Sequence, residues 1–163
     1  MEQEKEKNEE TFVKKVVQTA LEAERQIRRQ QVLHNTRMLM EEYIEMKRDI
    51  ESAVSEEEEL KEEQYDIFRG EGAHLGSVRR SKMKTAMMIA NIDRAMEELR
   101  AEYETKEMTY KYDAFKMHYI DGASYEEIAD IQNCGKNTPS RWSKELIRKM
   151  SVKLFGIDGV EKY

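Results

Sequence analysis

One stretch of the sequence decides the fold: residues 110–156, YKYDAFKMHYIDGASYEEIADIQNCGKNTPSRWSKELIRKMSVKLFG. From Tyr112 to Tyr119, aromatic residues recur at helical spacing, which predicts a helix over about 110–120. Gly122 follows and ends that helix, because glycine adopts the left-handed conformation at a helix terminus without steric cost. The stretch therefore begins with a helix and a sharp break.

A second, short helix is predicted over about 125–131. Ser124 precedes it, and Glu127 follows three residues later, which is the spacing of a capping box. In that motif each side chain accepts a hydrogen bond from the other residue's backbone N–H, so the first turn is stabilised locally. We expect this helix to bury Ile128 and Ile131.

A tight turn is predicted between this helix and a third one. Asn133 is the residue best suited after glycine to a left-handed helix cap, and Cys134 is expected to be a small buried plug. Gly135 is expected to open the third helix. Pro139 falls in its first turn, where a backbone N–H has no intrahelical partner to lose.

The third helix has two different faces on a wheel of 100° per residue. The predicted core face carries Pro139, Trp142, Leu146 and Met150. The candidate DNA-binding residues lie on or beside the other face and are Asn137, Thr138, Ser140, Arg141, Lys144 and Arg148. A recognition helix needs this arrangement, because polar residues of its first turns contact base edges and cations farther along contact phosphates.

The charge of the chain is uneven. Its 163 residues carry a net charge of −6, which argues against indiscriminate coating of nucleic acid. Residues 56–63 hold six glutamates and one lysine, whereas residues 136–153 hold six cations and only one acid, Glu145. A basic segment in an acidic chain predicts a local electrostatic surface for a polyanion.

Composition also excludes several classes of protein. A single cysteine excludes a disulfide framework and a cysteine-based metal site. No apolar run approaches the roughly 18 residues of a membrane span, and the glutamate-rich start lacks the features of a signal peptide. We therefore expect a cytoplasmic protein that has no membrane partner, metal or cofactor. No catalytic constellation is evident, so an enzyme is not predicted.

The segment before the decisive stretch has helical patterns of its own. Apolar residues recur three and four apart from Phe12 to Ile27. A short heptad stripe follows at Leu39, Tyr43, Met46, Ile50 and Ala53. Such a stripe favours a helical hairpin or a short coiled coil, and it is the basis on which we predict a homodimer.

These patterns predict an all-α fold with four parts. Residues 1–69 form an acidic helical region for oligomerisation or partner binding, and residues 70–77 form a glycine-containing break. Residues 78–109 form a linking helix, and residues 110–163 form a helix-turn-helix domain.

Residues 121–129, DGASYEEIA, look like the start of the helix-turn-helix of sigma-factor region 4. Residues 141–159 resemble phage-encoded transcriptional regulators of the ArpU type, and residues 34–47 are similar to the amino-terminal part of those proteins. Two positions depart from sigma-like motifs, which usually have glycine at position 133 and a branched aliphatic residue at position 139; this chain has Asn133 and Pro139.

The resemblance implies a sigma-like DNA-binding domain and control of late phage genes in the cytoplasm of a bacterial host cell. It aligns Asn137, Thr138, Ser140 and Arg141 with the start of the family's recognition helix, and Lys144 and Arg148 with its phosphate-facing continuation. The N-terminal helices would then dimerise the protein or recruit RNA polymerase. Two alternatives stay open: a phage small terminase subunit, and an adaptor that binds RNA polymerase without contacting DNA.

Overall fold

The computed structural model describes the backbone of residues 2–63 and 72–156, and the side chains of residues 11–53 and 80–156. Every regular element within these ranges is a helix, which confirms the predicted all-α class. The helices are α1 (Glu2–Glu63), α2 (Gly72–Thr105), α3 (Thr109–Tyr119), α4 (Tyr125–Ile131) and α5 (Thr138–Phe155). Within the described residues, none of these helices has the length and apolar character needed to cross a lipid bilayer.

The heptad stripe of α1 packs inside its own chain. Tyr43 is buried in the main hydrophobic cluster, with Leu39, Met46 and Ile50 packed against that cluster, and Ala53 is also buried. The Tyr43 hydroxyl donates a hydrogen bond to the Asp93 carboxylate on α2. The residues that motivated the prediction of a dimer therefore contribute to intrachain packing.

One hydrophobic core joins four of the helices. Its buried members are Met40 and Tyr43 from α1, Ile89, Ile92, Ala95, Met96, Leu99 and Tyr103 from α2, Phe115 and Tyr119 from α3, and Leu146, Ile147 and Met150 from α5. Residues on both sides of the predicted domain boundary at residue 110 thus belong to the same core. Packing of α1 and α2 against α5 positions the third helix of the decisive stretch.

The connection between α1 and α2 differs from the predicted glycine break. Helix α2 already begins at Gly72, so residues 72–77 are helical, whereas Gly70 and the side chains of residues 56–63 lie outside the described residues. At its other end α2 stops at Thr105, before the predicted limit at residue 109. Glu107 then adopts a left-handed conformation with φ 57°, which reverses the chain into α3.

Met40→Ala tests whether the core is shared. Met40 is fully buried, so its truncation should lower the free energy of unfolding by about 2–4 kcal/mol. Trp142, the single tryptophan, lies on α5 and reports unfolding of that helix by fluorescence during urea denaturation. Met38→Ala is the matched control, because Met38 lies on the same helix and is exposed. An unchanged Trp142 transition in Met40→Ala would contradict a common core.

Candidate nucleic-acid interface

The start of α4 is held by the predicted capping box. The backbone N–H of Ser124 donates to Glu127 Oε2 over 2.8 Å, and the backbone N–H of Glu127 donates to Ser124 Oγ over 3.2 Å. Accepting the Ser124 backbone N–H lowers the pKa of the Glu127 carboxyl below its usual range. Helix α4 spans Tyr125–Ile131, as the sequence predicted.

The buried face of α4 differs from the predicted one. Ile128 and Ala129 are buried, while Tyr125 and Gln132 are half-buried at the edges of the same face. These positions follow the i, i+3, i+4, i+7 spacing of one helix stripe. Ile131 lies off that stripe and is 65% exposed, so the prediction that it is buried was wrong.

A left-handed residue makes the turn between α4 and α5. Asn133 has φ 49°, which is the left-handed conformation predicted for it from the sequence. The backbone N–H of Cys134 donates to the Ala129 carbonyl over 2.9 Å and closes the turn. The Cys134 side chain is only half-buried, so the prediction of a buried plug was wrong. The backbone N–H of Cys134, and not its side chain, stabilises the turn. Helix α5 begins at Thr138 rather than at Gly135.

An aromatic contact that the sequence analysis missed joins the end of α3 to the start of α4. His118 Nδ1 lies 2.9 Å from the carbonyl oxygen of Ala123, which accepts its hydrogen bond. The His118 ring also stacks on Tyr125, with the ring centroids 3.9 Å apart. These contacts hold the loop at Gly122, whose φ of 76° favours glycine. No local pattern predicts them, because both depend on how α3 and α4 pack.

The inner face of α5 agrees with the helical wheel. Pro139, Leu146 and Met150 are buried, as predicted. Trp142 is half-buried and meets Tyr110 edge-on, with the ring centroids 5.1 Å apart. Trp142 thus lies at the edge of the core and not at its centre.

The outer face of α5 presents polar and cationic groups to solvent. Asn137, Arg141, Lys144 and Arg148 are all exposed. At 100° per residue, these four positions fall within an arc of about 60°. The Asn137 side chain is exposed and makes no capping hydrogen bond to the helix. Thr138 and Ser140 are half-buried and flank the arc on opposite sides.

The basic stretch is partly neutralised by acids within the chain. Among the described residues, Lys136 forms an ion pair with Glu126, Lys149 with Glu102, and Lys153 with Glu98. Among the residues that the structure describes, no carboxylate lies within ion-pairing distance of Arg141 or Lys144. The positive surface is therefore concentrated on the outer face of α5 and is narrower than the sequence indicated.

The only acid of α5 is turned toward the other helices. Glu145 Oε1 accepts a hydrogen bond from the Tyr103 hydroxyl over 2.7 Å, and Glu145 Oε2 accepts one from Lys111 Nζ over 2.8 Å. Partial burial raises the pKa of Glu145, but the hydrogen bonds from Lys111 and Tyr103 outweigh burial, so the net pKa is lowered. Burial and this carboxylate raise the pKa of Tyr103. Glu145 thereby ties α5 to α2 and α3.

A residue of α1 joins the outer face of α5. Arg37 lines a cleft of about 280 Å³ together with Ser140 and Lys144. Arg37 is exposed, so its guanidinium is accessible to a ligand that lies on α5. Arg37 is not among the site residues predicted from the sequence, because only the packing of α1 on α5 brings these distant positions together.

No family model, curated protein or solved structure matches this chain. Within the described ranges, histidine, cysteine and carboxylate side chains form no group of three that could hold a metal ion.

Glu145→Gln tests the network that orients α5. The amide cannot accept two charge-assisted hydrogen bonds, so at pH 7 we expect a loss of stability of about 1 kcal/mol after allowance for partial exposure. The folded-state pKa of Glu145 is lowered. Its contribution to the stability of the fold is therefore present above the unfolded-state pKa of about 4.3 and disappears as the pH falls through the folded-state pKa.

Urea denaturation of the wild type and Glu145→Gln between pH 7 and pH 3 measures this effect. The difference in the free energy of unfolding between the two proteins should disappear at the acidic end of that range. Asp113→Asn is a control on α3 with an exposed side chain. A difference in the free energy of unfolding that does not depend on pH would show that the carboxylate charge is not what stabilises α5.

Proposed function

We propose that this protein is a sequence-specific DNA-binding regulator of transcription. The observation that carries the proposal is the exposed outer face of α5, where an amide, a guanidinium and an ammonium group lie within one narrow arc. This face follows α4 after a tight turn, in the order of a helix-turn-helix motif. In that motif the second helix enters the major groove and its first turns contact base edges.

Each candidate residue has a role that its chemistry and position support. Asn137 and Arg141 are exposed at the start of α5, and amide and guanidinium groups make the bidentate contacts that distinguish adenine and guanine. Ser140 and Thr138 would contact the edges of the same site with their shorter hydroxyl groups. Lys144 and Arg148, farther along the helix, would contact phosphates.

The α1 helix would add a contact outside the recognition helix. Arg37 lines the cleft beside Ser140 and Lys144, so DNA lying along α5 would bring a phosphate within reach of its guanidinium. A phosphate contact of this kind positions the protein on the duplex without selecting a base.

The resemblance to ArpU-type regulators supports a finer proposal: activation of late phage or prophage genes together with RNA polymerase. Two rival functions make different predictions. A small terminase subunit would bind DNA as a ring-sized oligomer. An adaptor would bind RNA polymerase through its acidic helices and would show no affinity for DNA.

Arg141→Ala tests the base-reading role of α5. Loss of a bidentate base contact should weaken binding to the preferred site by about 1–3 kcal/mol and relax specificity at one base pair. Fluorescence anisotropy on labelled fragments of the protein's own locus, over a salt series, measures both effects. Equal affinity of the variant and the wild type, or equal weak binding to every fragment, would contradict the proposal.

Arg37→Ala tests the contribution of α1. Removing a phosphate contact should weaken binding by a similar factor on all fragments, and the slope of log K against log salt should fall in magnitude by about 1. Arg48→Ala is the matched control, because Arg48 is also exposed on α1 but does not line the cleft. Identical salt slopes for the two variants would exclude Arg37 from the interface.

A further inference from the structure

The cleft of about 280 Å³ beside α5 lies where four helices meet, and both hydrogen-bond donors and acceptors line it. Its polar lining includes Arg37 and Glu41 of α1, His118 of α3, Tyr125 of α4, and Ser140 and Lys144 of α5. Pockets for drug-sized ligands measure roughly 300–1,000 Å³, so the volume of this cleft fits a small ligand.

The donors of the cleft are those of an oxyanion site. Arg37 and Lys144 are exposed, and Ser140 is half-buried. Within the part of the chain that the structure describes, neither cation forms an ion pair and the Ser140 hydroxyl has no hydrogen-bond partner. A guanidinium group binds two oxygens of a phosphate at once, and an ammonium group adds a point charge. Two cations against the single carboxylate of Glu41 favour an anionic ligand.

Two acceptors lie in the same cleft. The Glu41 carboxylate is exposed one helical turn from Arg37, and no ion pair joins these two side chains. His118 Nδ1 donates a hydrogen bond to the Ala123 carbonyl, so Nε2 of the neutral ring is an acceptor. No described residue forms a hydrogen bond with His118 Nε2. A fully deprotonated oxyanion has no proton for these acceptors, whereas a P–OH group can donate one.

We propose that this cleft binds a free phosphate group that retains a P–OH. Arg37, Lys144 and Ser140 donate to its deprotonated oxygens. The P–OH donates to the Glu41 carboxylate, which is the stronger of the two acceptors because it is charged. Hydrogen phosphate carries such a proton at neutral pH, and a phosphate monoester retains one below its second pKa of about 6. Sulfate has the same shape but no proton, so its oxygens are repelled by Glu41.

Bound phosphate would compete with DNA. A phosphodiester of the DNA backbone can contact Arg37 and Lys144 from outside the cleft, but it has no P–OH for Glu41. Both ligands therefore need the same two cations. This competition rests on the proposed function, whereas phosphate binding itself does not, so the two are measured separately.

Phosphate binding is measured on the full chain by NMR of the histidine ring signals. Inorganic phosphate is added at pH 7 and constant ionic strength, and we expect a saturable shift of the His118 signals. A dissociation constant of about 0.1–10 mM is expected for a ligand with so few atoms. His34 is the internal control, because it is exposed on α1 and does not line the cleft.

Sulfate is the matched control ligand, and it should bind at least about tenfold more weakly than phosphate, because one charge-assisted hydrogen bond is lost. A His118 shift that does not saturate, that only equals the shift of His34, or that sulfate reproduces at the same concentrations would overturn the proposal.

Glu41→Ala tests the acceptor, because the substitution should affect the two anions differently. Phosphate binding should weaken by about tenfold with the loss of the charge-assisted hydrogen bond. Sulfate binding should be unchanged or stronger, because a repulsive charge is removed. Glu42→Ala is the matched control variant, since Glu42 is exposed on the same helix but does not line the cleft. Unchanged or stronger phosphate binding by Glu41→Ala would overturn the proposal, because it would show an unselective cationic surface.

Two further measurements identify the source of the phosphate and its effect on DNA. Glycerol phosphate replaces inorganic phosphate in the NMR titration: tighter binding would identify a small phosphorylated molecule as the ligand, and weaker binding would identify inorganic phosphate. In fluorescence anisotropy, saturating phosphate should release DNA more effectively than sulfate at the same ionic strength. Equal release by both anions would overturn the competition. A protein that binds phosphate but no DNA would refute the proposed function alone.

Discussion

The structure depends on burial of apolar side chains from α1 and α5 in one core. Met40 and Tyr43 on α1 are buried in the same cluster as Leu146 and Met150 on α5. Helix α4 has only seven residues and could not hold α5 in place alone, because isolated helices of that length are not stable in water. The orientation of the candidate recognition helix is thus set by residues that are distant in sequence.

Polar interactions then determine which charges face outward. Lys149 and Lys153 pair with acids of α2, and Glu145 is held by Tyr103 and Lys111. Glu145, the only acid of α5, therefore faces the other helices and not the surface where Arg141 and Lys144 are exposed. A chain with net negative charge can in this way present a positive face, because the field at short range depends on the nearest charges and on salt screening.

Sequence reasoning succeeded where the determining interaction is local. The capping box at Ser124, the left-handed Asn133 and the limits of α4 follow from contacts within a few residues, and all three were predicted. It failed for Ile131 and Cys134, whose burial depends on which side of a short helix or turn meets its neighbours. Arg37 and His118 could not have been selected from one sequence, because their partners come from other helices. The DNA-contacting roles on α5 stay predictions.

Helix α1 is one continuous helix from Glu2 to Glu63, and this continuity links its two ends mechanically. Large apolar residues from Phe12 to Ile27 are exposed and the buried face of the helix begins at Val32, so a few helical residues set both the distance and the angle between these two parts. One inserted residue there would rotate the exposed apolar residues by about 100° relative to the core, whereas seven would nearly restore their direction while moving them by about 10 Å. The direction of these exposed residues relative to the core therefore depends on the number of residues in this segment and not on which side chains occupy it.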